Sequence, residues 1–319
     1  MKALVFDGFG GPEVLHYADV PTPAPAEHEA LVRTRAIGLN FADVYRRQGR
    51  YHLVGTAPFI AGYEAAGVIE SAPPGSGFAA GDRVAFADAP LANAELVAVP
   101  VDRLIALPDD IAFETAAALL LQGLTAQYLI RESHPLRAGE AVLVHAAAGG
   151  VGQLLVQLCV AVGARVLALA STGEKCAVAH AAGAEACATY DDDWVAAAHV
   201  FAPGGVDAVF DSVGTTLDDS LNAVRIGGRV VFYGMAGGTP KPVAPGVLMD
   251  GSKTLTGGDL WNVLLTAQDR RERASELFAR VRDGSLKVHI DSRFVLADGA
   301  AAHRHLESRR ALGKVLLIP

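Results

Sequence analysis

Cysteine and long apolar runs are both scarce in this sequence. Its 319 residues include three cysteines, Cys159, Cys176 and Cys187, and their spacing matches neither a metal motif nor a disulfide framework. No apolar run reaches the roughly 18 residues that a membrane-spanning helix needs. Residues 1–6 lead directly into a strand pattern, without the apolar segment of a secretory signal. We therefore expect a cytoplasmic protein without disulfides and without contact with membranes.

Basic residues are in the minority. The chain has 27 Lys and Arg against 35 Asp and Glu, a net charge of −8 at pH 7, which argues against a general nucleic-acid binder. With 51% hydrophobic residues and 34 glycines, the composition is typical of a compact folded enzyme and not of a disordered chain. A chain of this length predicts two domains.

Residues 141–170 carry the strongest local pattern. An apolar run at 142–144 predicts a strand buried on both faces, and apolar residues at helical spacing follow a glycine turn. Gly163 has the position of a helix C-cap, and residues 165–170 predict the next strand. Strand, turn, helix and strand form one βαβ unit of a dinucleotide-binding sheet.

The turn of this unit is expected to hold the cofactor phosphates. Gly149 lets the backbone approach a pyrophosphate, Gly152 lets the helix pack on the strand, and the helix N-terminus supplies N–H groups. Ala147 replaces the first glycine of the usual pattern, and a turn of small residues that serves helix packing alone is the alternative. The expected cofactor-binding residues of the turn are Ala148, Gly149, Gly150, Val151 and Gly152.

No acidic residue ends the second strand of the unit. An NAD-binding unit places Asp or Glu there for the ribose 2′-hydroxyl, whereas this chain has Ala170, Ser171 and Thr172. Lys175 follows, and a hydroxyl with a cation suits a 2′-phosphate. We therefore expect NADP(H), contacted by Ser171 and Lys175. Glu174 would favour NAD if it turned inward, and a solvated Lys175 is the alternative.

The remaining chain divides into three parts. Short strands broken by turn residues predict an all-β, partly open barrel first. Alternating strands and helices then predict an α/β, doubly wound parallel sheet. Short strands return near the C-terminus, as if the chain folded back onto the first domain. The predicted domains are residues 1–121, 122–256 and 257–319, the last being the return to the first domain.

Six motifs carry a resemblance to a known family. They are GGPEVL at 10–15, AIGLNFAD at 36–43, AAGDRV at 79–84, QGLTA at 122–126, HAAAGGVG at 145–152 and DSVG at 211–214. Together they resemble the quinone oxidoreductase (zeta-crystallin-like) group of the medium-chain dehydrogenase/reductase superfamily. The resemblance implies a GroES-like β-barrel catalytic domain, a Rossmann domain and an active site in the cleft between them. It also implies an NADPH-dependent reductase of quinones that forms a homodimer.

The same resemblance argues against a metal. Zinc-dependent relatives place a Cys ligand where this chain has Asn40 and a His ligand where it has Tyr63. A carboxamide and a phenol are poor zinc ligands, and the ten histidines form no metal motif. We expect an enzyme without zinc.

A quinone accepts hydride without a metal, so the protein has to hold its ring over the nicotinamide. The resemblance assigns Asn40, Tyr45 and Tyr51 to the active site. Asn40 would hydrogen-bond a quinone oxygen or the nicotinamide ribose, and the tyrosines would stack or donate. The alternative is that Tyr45 and Tyr51 only pack in the barrel.

The resemblance also implies further cofactor contacts. Thr125 would contact the nicotinamide side, Tyr190 would flank the adenosine, and Arg309 would lie near the 2′-phosphate. The residues implied to line the cofactor groove after two later strands are Val213, Gly214, Tyr233, Gly234 and Met235. One departure is Asp259, where the family often has a basic or aromatic residue, and it disfavours an anionic substrate.

Two other functions compete with this interpretation. A reductase of enones or enoyl thioesters would use the same site, but a CoA thioester would need a basic channel, and Arg46, Arg47 and Arg50 form the one basic cluster of the barrel half. These arginines would equally suit a solvated loop face. A non-catalytic, cofactor- or RNA-binding protein of the zeta-crystallin type is the second alternative.

Residues 253–257 predict the last strand of the sheet. An uncovered edge strand pairs readily with its own copy across a twofold axis, so we expect a homodimer. Apolar side chains nearby would enlarge the contact; they are Leu248, Met249, Leu255 and Leu260. The alternative is a monomer in which the charged helix at 267–282 covers this edge, although its charges favour a solvated face.

Overall fold

The computed structural model describes all residues, 1–319. Its first part is rich in strands, and its later part alternates strands with helices. The elements up to the glycine turn are β1 (Lys2–Phe6), β2 (His16–Asp19), β3 (Glu29–Leu39), α1 (Phe41–Arg47), β4 (Phe59–Ile60), β5 (Ala65–Ser71), β6 (Arg83–Phe86), β7 (Leu96–Pro100), β8 (Ile105–Ala106), α2 (Phe113–Tyr128) and β9 (Ala141–Val144).

The elements that follow the turn are α3 (Gly150–Val162), β10 (Arg165–Ala170), α4 (Gly173–Ala181), β11 (Ala186–Thr189), α5 (Trp194–Phe201), β12 (Val206–Asp211), α6 (Leu217–Ala223), β13 (Val224–Phe232), α7 (Pro245–Asp250), β14 (Thr254–Gly257), α8 (Ala267–Arg282), β15 (Ile290–Val295), α9 (Gly299–Glu307) and β16 (Lys314–Ile318). No helix combines the length and the apolar character that crossing a bilayer requires.

The chain forms two compact units. The barrel unit comprises Met1–Leu121, Leu264–Ala279 and Val288–Pro319, and the sheet unit comprises Gln122–Val263 and Arg280–Lys287. The sequence prediction placed the return to the barrel at residue 257, whereas the structure keeps residues 257–263 with the sheet. The reason is local, because the N–H of Gly258 still donates to the carbonyl of Phe232 at 3.0 Å.

In the barrel unit, a seven-stranded sheet has the order β15-β16-β3-β5-β6-β8, with β7 also paired to β3, and a second sheet has the order β2-β1-β4. Alternate residues are buried over positions 29–36 of β3, because one face of the strand lies on the core there, and positions 36–39 are all buried. The C-terminal strand β16 pairs antiparallel with β3, so residues from both ends of the chain share one sheet.

Charged residues of α8 also take part in the barrel unit. Arg270 is buried, and its Nε donates to the buried carboxylate of Asp88 at 2.6 Å, while its Nη2 donates to the carbonyl of Leu264. The charges of α8 favour a solvated face, and Arg270 is an exception to that expectation.

In the sheet unit, six parallel strands have the order β11-β10-β9-β12-β13-β14. Numbered within the unit this order is 3-2-1-4-5-6, the dinucleotide-binding arrangement. The central strand β9 is buried along its whole length, as its continuous apolar run predicts. Gly163 ends α3 with a φ of 91°, which confirms the predicted C-cap.

Three helices escaped the sequence analysis. They are α1, α7 and α9, of seven, six and nine residues. Short helices show too few turns for an apolar period to stand out. The omission of α1 matters most, because it begins directly after Asn40 and carries Tyr45, Arg46 and Arg47.

Candidate functional site

The glycine turn of the sheet unit links β9 to α3. A Cβ atom at Gly152 would lie 2.2 Å from the carbonyl oxygen of Ala146, so only glycine allows the helix to approach the turn this closely. At Gly149 a Cβ would meet only that same oxygen, at 3.1 Å. No side chain caps the N-terminus of α3, and its first turn holds no acidic residue. The turn therefore presents backbone N–H groups to an anion.

The carboxyl end of β10 lacks a carboxylate. Ser171 follows the strand, and Thr172 is the N-cap of α4, its Oγ1 accepting a hydrogen bond from the N–H of Lys175 at 3.3 Å. Lys175 is half-buried in the first turn of α4, whereas Glu174 is exposed. A hydroxyl and a cation suit a phosphate better than a ribose hydroxyl, so the residues present fit NADP(H).

A directional chain of hydrogen bonds fixes Tyr190 beneath the glycine turn. The hydroxyl of Ser220 donates to Oδ2 of Asp211 at 2.7 Å, so its oxygen accepts from Nε2–H of His145 at 3.0 Å. Nδ1 of His145 is then the acceptor for the hydroxyl of Tyr190 at 3.2 Å, and that oxygen accepts the N–H of Ala146 at 2.9 Å. These hydrogen bonds join the residues that directly follow β9 and β11 to the end of β12 and to α6.

Burial is the main influence on the pKa of His145 and lowers it, against the opposing attraction of the Asp211 carboxylate. The neutral ring with a single N–H is the state that the hydrogen-bond chain requires. Burial opposes ionisation of Asp211 most strongly, but four hydrogen-bond donors favour its carboxylate, and its pKa lies below the usual range. Two of these donors are the N–H groups of Val213 and Gly214, so Asp211 shapes the loop expected to line the cofactor groove.

The other expected cofactor contacts of the sheet unit lie as follows. Thr125 is buried on α2, and the N–H of Tyr233 donates to the carbonyl of Asp211 at 2.9 Å just after β13. Gly234 and Met235 continue that loop as half-buried residues. Asp259 is the N-cap of a short 3-10 helix, and its carboxylate accepts the N–H of Trp261 at 3.0 Å.

Arg309 belongs to the barrel unit. It follows α9 as an exposed residue with a φ of 60°.

Asn40 lies in a buried polar network of the barrel unit. Its Nδ2 donates to Oε2 of Glu64 at 2.9 Å and to the carbonyl of Gly38 at 3.2 Å, and its Oδ1 accepts from Nζ of Lys314 at 2.8 Å. Lys314 also donates to Glu64 at 2.5 Å, and Leu121 N–H donates to the other carboxylate oxygen at 2.6 Å. The side chains of Lys314 and Glu64 are 1% and 0% exposed.

A second cluster surrounds Arg46 on α1. Its guanidinium lies 3.7 Å from the ring centre of Tyr63 and 5.0 Å from that of Tyr51, and it donates to the carboxylate of Asp43 at 3.1 Å. Burial raises the pKa of Asp43, against the attraction of Arg46. Burial also raises the pKa of the Tyr63 hydroxyl. The arginine therefore stacks between aromatic faces.

The alternative of a solvated loop face is wrong for two of the three arginines. Arg46 and Arg47 are both 0% exposed. Arg47 donates to the ring of His303 at 3.1 Å and is ion-paired with Glu307 of α9 at 2.7 Å. The sequence could not show this, because these two partners of Arg47 lie more than 250 residues further along the chain.

Tyr45 and Tyr51 lie close to each other. Their ring centres are 6.5 Å apart in an edge-to-face arrangement, and Tyr45 is 9% exposed. Tyr51 contacts the ring of His52, whose centre is 4.0 Å away. The structure thus brings Asn40, Tyr45 and Tyr51 to one helix and the loop that follows it.

Comparison with known proteins decides the family. Residues 26–109 match the family model described as the alcohol dehydrogenase GroES-like domain, and residues 150–280 match the one described as zinc-binding dehydrogenase. A quinone oxidoreductase of Pseudomonas aeruginosa is 40% identical over 100% of this chain and 99% of its own length. A 2-haloacrylate reductase of a Burkholderia species is 35% identical over the same shares. The quinone oxidoreductase of Escherichia coli, solved in complex with NADPH, has a TM-score of 0.96 and 36% identity over the whole of both chains.

The chain belongs to the quinone oxidoreductase group of the medium-chain dehydrogenase/reductase superfamily. The resemblance seen in the six motifs is confirmed, and so is the fold class of a GroES-like barrel with a Rossmann sheet. One of the matching family models is named for zinc, whereas this chain has Asn40 and Tyr63 where the resemblance implies that zinc-dependent relatives place ligands. No group of three His, Cys, Asp or Glu residues in the structure could hold a metal ion.

Four polar residues of this oxidoreductase went unnoticed in the sequence, namely Glu64, Lys314, His145 and Ser220. Each is at most 1% exposed. The sequence contains one indication of them. Glu64, His145 and Lys314 are titratable residues beside or within apolar strand patterns, where burial is expected, and a buried charge needs a partner. Only the tertiary structure identifies the partners, because His145 and Ser220 are 75 residues apart in the chain, and Glu64 and Lys314 are 250 residues apart.

The expectation of unpaired cysteines is wrong. Cys176 of α4 and Cys187 of β11 form a disulfide with their Cα atoms 5.6 Å apart, and Cys159 is a buried free thiol. Their sequence separation of 11 residues matches no known framework, so only the packing of α4 on β11 could reveal the pair.

Proposed function

We propose that this oxidoreductase uses NADPH to reduce quinones. The observation that carries the proposal is the buried network around Asn40. Where zinc-dependent relatives of the superfamily hold ligands, this chain has an amide bonded to the ammonium of Lys314 and to the carboxylate of Glu64. A site without a Lewis acid suits acceptors that take hydride unaided, and quinones are such acceptors.

The residues of the sheet unit would hold NADPH in the following way. The backbone of residues 148–152 faces the pyrophosphate, and Ser171 and Lys175 contact the 2′-phosphate. Tyr190 flanks the adenosine in the orientation that His145 imposes on its hydroxyl. Thr125 and the loops at 213–214 and 233–235 face the nicotinamide half. When bound, the cofactor supplies a hydride equivalent to the acceptor.

Residues of α1 and its following loop would hold the acceptor. Tyr45 and Tyr51 offer an edge-to-face pair against which a flat ring can pack. Both Nδ2 hydrogens of Asn40 are engaged by Glu64 and Gly38, so contact with a quinone oxygen requires one of these bonds to open. Protons for the reduced acceptor come from solvent or from tyrosine. The family resemblance assigns the acceptor to the cleft between the domains, and we retain that assignment as part of the proposal.

The second candidate is the reduction of activated alkenes. It is favoured by the likeness to a 2-haloacrylate reductase. A haloacrylate is an anion and would need a cation. Arg46 and Arg47 are buried against Asp43 and Glu307, and the exposed arginine of the cluster is Arg50, 6.0 Å from the ring centre of Tyr45. A neutral quinone needs no such group.

Replacing Lys175 by Ala tests the cofactor assignment. Loss of one charge-assisted contact to the 2′-phosphate should lower kcat/KM for NADPH by roughly 10- to 100-fold, since such bonds contribute about 1.5–3 kcal/mol. The kcat/KM for NADH should not change, because NADH lacks that phosphate. Lys287→Ala, an exposed lysine of the same unit, is the matched control. Equal losses with both cofactors would contradict the assignment.

A further inference from the structure

The disulfide of the sheet unit has no part in the proposed reaction. It joins Cys176, in the first turn of α4, to Cys187 in the edge strand β11. Both residues are half-buried, so a small thiol can reach them. Cys159 is fully buried on α3, and burial raises the pKa of its thiol far above the usual range, so it does not exchange.

The bridge connects two elements that carry proposed cofactor contacts. On α4, Cys176 follows Lys175 directly, and its own N–H donates to the carbonyl of Thr172 at 3.0 Å. On β11, Cys187 precedes Tyr190 by three residues, and the hydroxyl of Tyr190 accepts the N–H of Ala146 in the glycine turn. The bridge thus links the turn that carries Lys175 to the strand that positions Tyr190.

The first turn of α4 is less buried than the rest of its packing face. Ala179, one turn after Lys175, is the buried residue of the helix, whereas Gly173 and Glu174 are exposed and Lys175 and Cys176 are half-buried. β11, by contrast, is held by four residue pairs with β10 whatever the state of the cysteines. Breaking the disulfide should therefore leave the sheet intact and loosen mainly the first turn of α4.

We propose that Cys176 and Cys187 are a reversible dithiol–disulfide pair, and that the oxidised form binds NADPH more tightly than the reduced form. This inference rests on the proposed function, because it assigns Lys175 and Tyr190 to the cofactor. In the oxidation, the two thiols lose two electrons and two protons and form the S–S bond. A small-molecule disulfide takes up those electrons and protons and becomes two thiols, and a dithiol reverses the step.

The direction follows from the cost of ordering the turn. In the oxidised form the turn is already fixed when NADPH arrives, whereas in the reduced form binding has to fix it. Because coupling between two equilibria is reciprocal, NADPH must favour the disulfide by the same factor. We expect a factor of about ten, within the range typical of such coupling.

The test uses the full chain in buffers of graded reduced and oxidised glutathione. At each ratio the Kd for NADPH is measured by fluorescence, and the free thiols are counted by alkylation and mass spectrometry. The reduced protein should bind NADPH about tenfold more weakly. Saturating NADPH should shift the ratio [GSH]²/[GSSG] at which half of the protein is oxidised by the same factor. The variant C176S/C187S should bind like the reduced protein at every ratio, and C159S should behave like the natural chain.

Three results would overturn the inference. The first is an equal Kd in the two forms, and the second is a half-oxidation ratio that NADPH does not move. The third is three free thiols at every glutathione ratio, which would show that the pair does not form. If neither form binds NADPH, the proposed function fails together with the inference, so the two failures are distinguishable.

Discussion

Replacing Lys314 by Met should destabilise the barrel unit strongly. Methionine has a similar volume and keeps the apolar part of the side chain, but it removes the ammonium from the network around Asn40. Glu64 would keep the hydrogen bonds from Asn40 and Leu121 while its charge lost the only cation that the structure places against it at 2.5 Å.

The expected magnitude follows from burial. The side chains of Lys314 and Glu64 are 1% and 0% exposed, so solvent cannot replace the lost charge. Removing one partner of a buried ion pair costs about 3–5 kcal/mol, because the other charge remains without compensation. The pair of Lys2 and Asp19 has a similar distance of 2.8 Å but side-chain exposures of 41% and 79%, and water replaces its partners readily.

Urea denaturation of Lys314→Met, with Lys2→Met as the matched control, measures the difference. The midpoint of Lys314→Met should fall well below that of the natural chain, and Lys2→Met should leave it almost unchanged. The double variant Lys314→Met/Glu64→Gln should recover part of the loss, because it removes the uncompensated charge. A loss below about 1 kcal/mol for Lys314→Met, or equal losses in the two single variants, would refute the role of the network.

Two further predictions concern pH and assembly. Burial and the Arg47 charge lower the pKa of His303 from 6.5 to about 3. Between these two pH values the unfolded chain binds a proton at this residue and the folded chain does not. The free energy of unfolding therefore falls as the pH drops from 6.5 towards 3. At pH 5 this residue alone should lower the free energy of unfolding by about 2 kcal/mol relative to pH 7. In urea denaturation, the stability of His303→Gln should fall less over this pH range than that of the natural chain, and an equal fall would contradict the prediction. The second prediction concerns assembly, since β14 is an edge strand and Met249 on the preceding α7 is 76% exposed. Sedimentation equilibrium should show a homodimer, and Met249→Lys should weaken it. A monomer mass for the natural chain at micromolar concentration would contradict this prediction.

The fold was predictable where a pattern is local. The parallel sheet follows from short apolar runs separated by helical periods, and the turn between β9 and α3 follows from residues that are adjacent in the chain. The ends of the elements differ from the predictions by a few residues, since caps and fraying fix them and apolar periodicity does not. The short helix α1 was missed because a helix of so few turns shows no clear apolar period.

The candidate site was predictable only in part. The resemblance directed attention to Asn40, but not to Lys314 and Glu64, which give Asn40 its surroundings. Arg46 and Arg47 look like solvent-facing residues in a sequence, and only their partners Asp43, Tyr63 and Glu307 make burial possible. Partners of buried polar groups are set by tertiary packing, and no local spacing encodes them.

The central claim is that this oxidoreductase passes reducing equivalents from NADPH to quinones. The most direct measurement is the steady-state oxidation of NADPH at 340 nm with a panel of neutral quinones, run beside 2-haloacrylate and neutral enones. Turnover with quinones at a kcat/KM well above that of every alkene is the predicted result. Turnover with the alkenes and none with the quinones would contradict the claim and would favour the alkene reductase in its place.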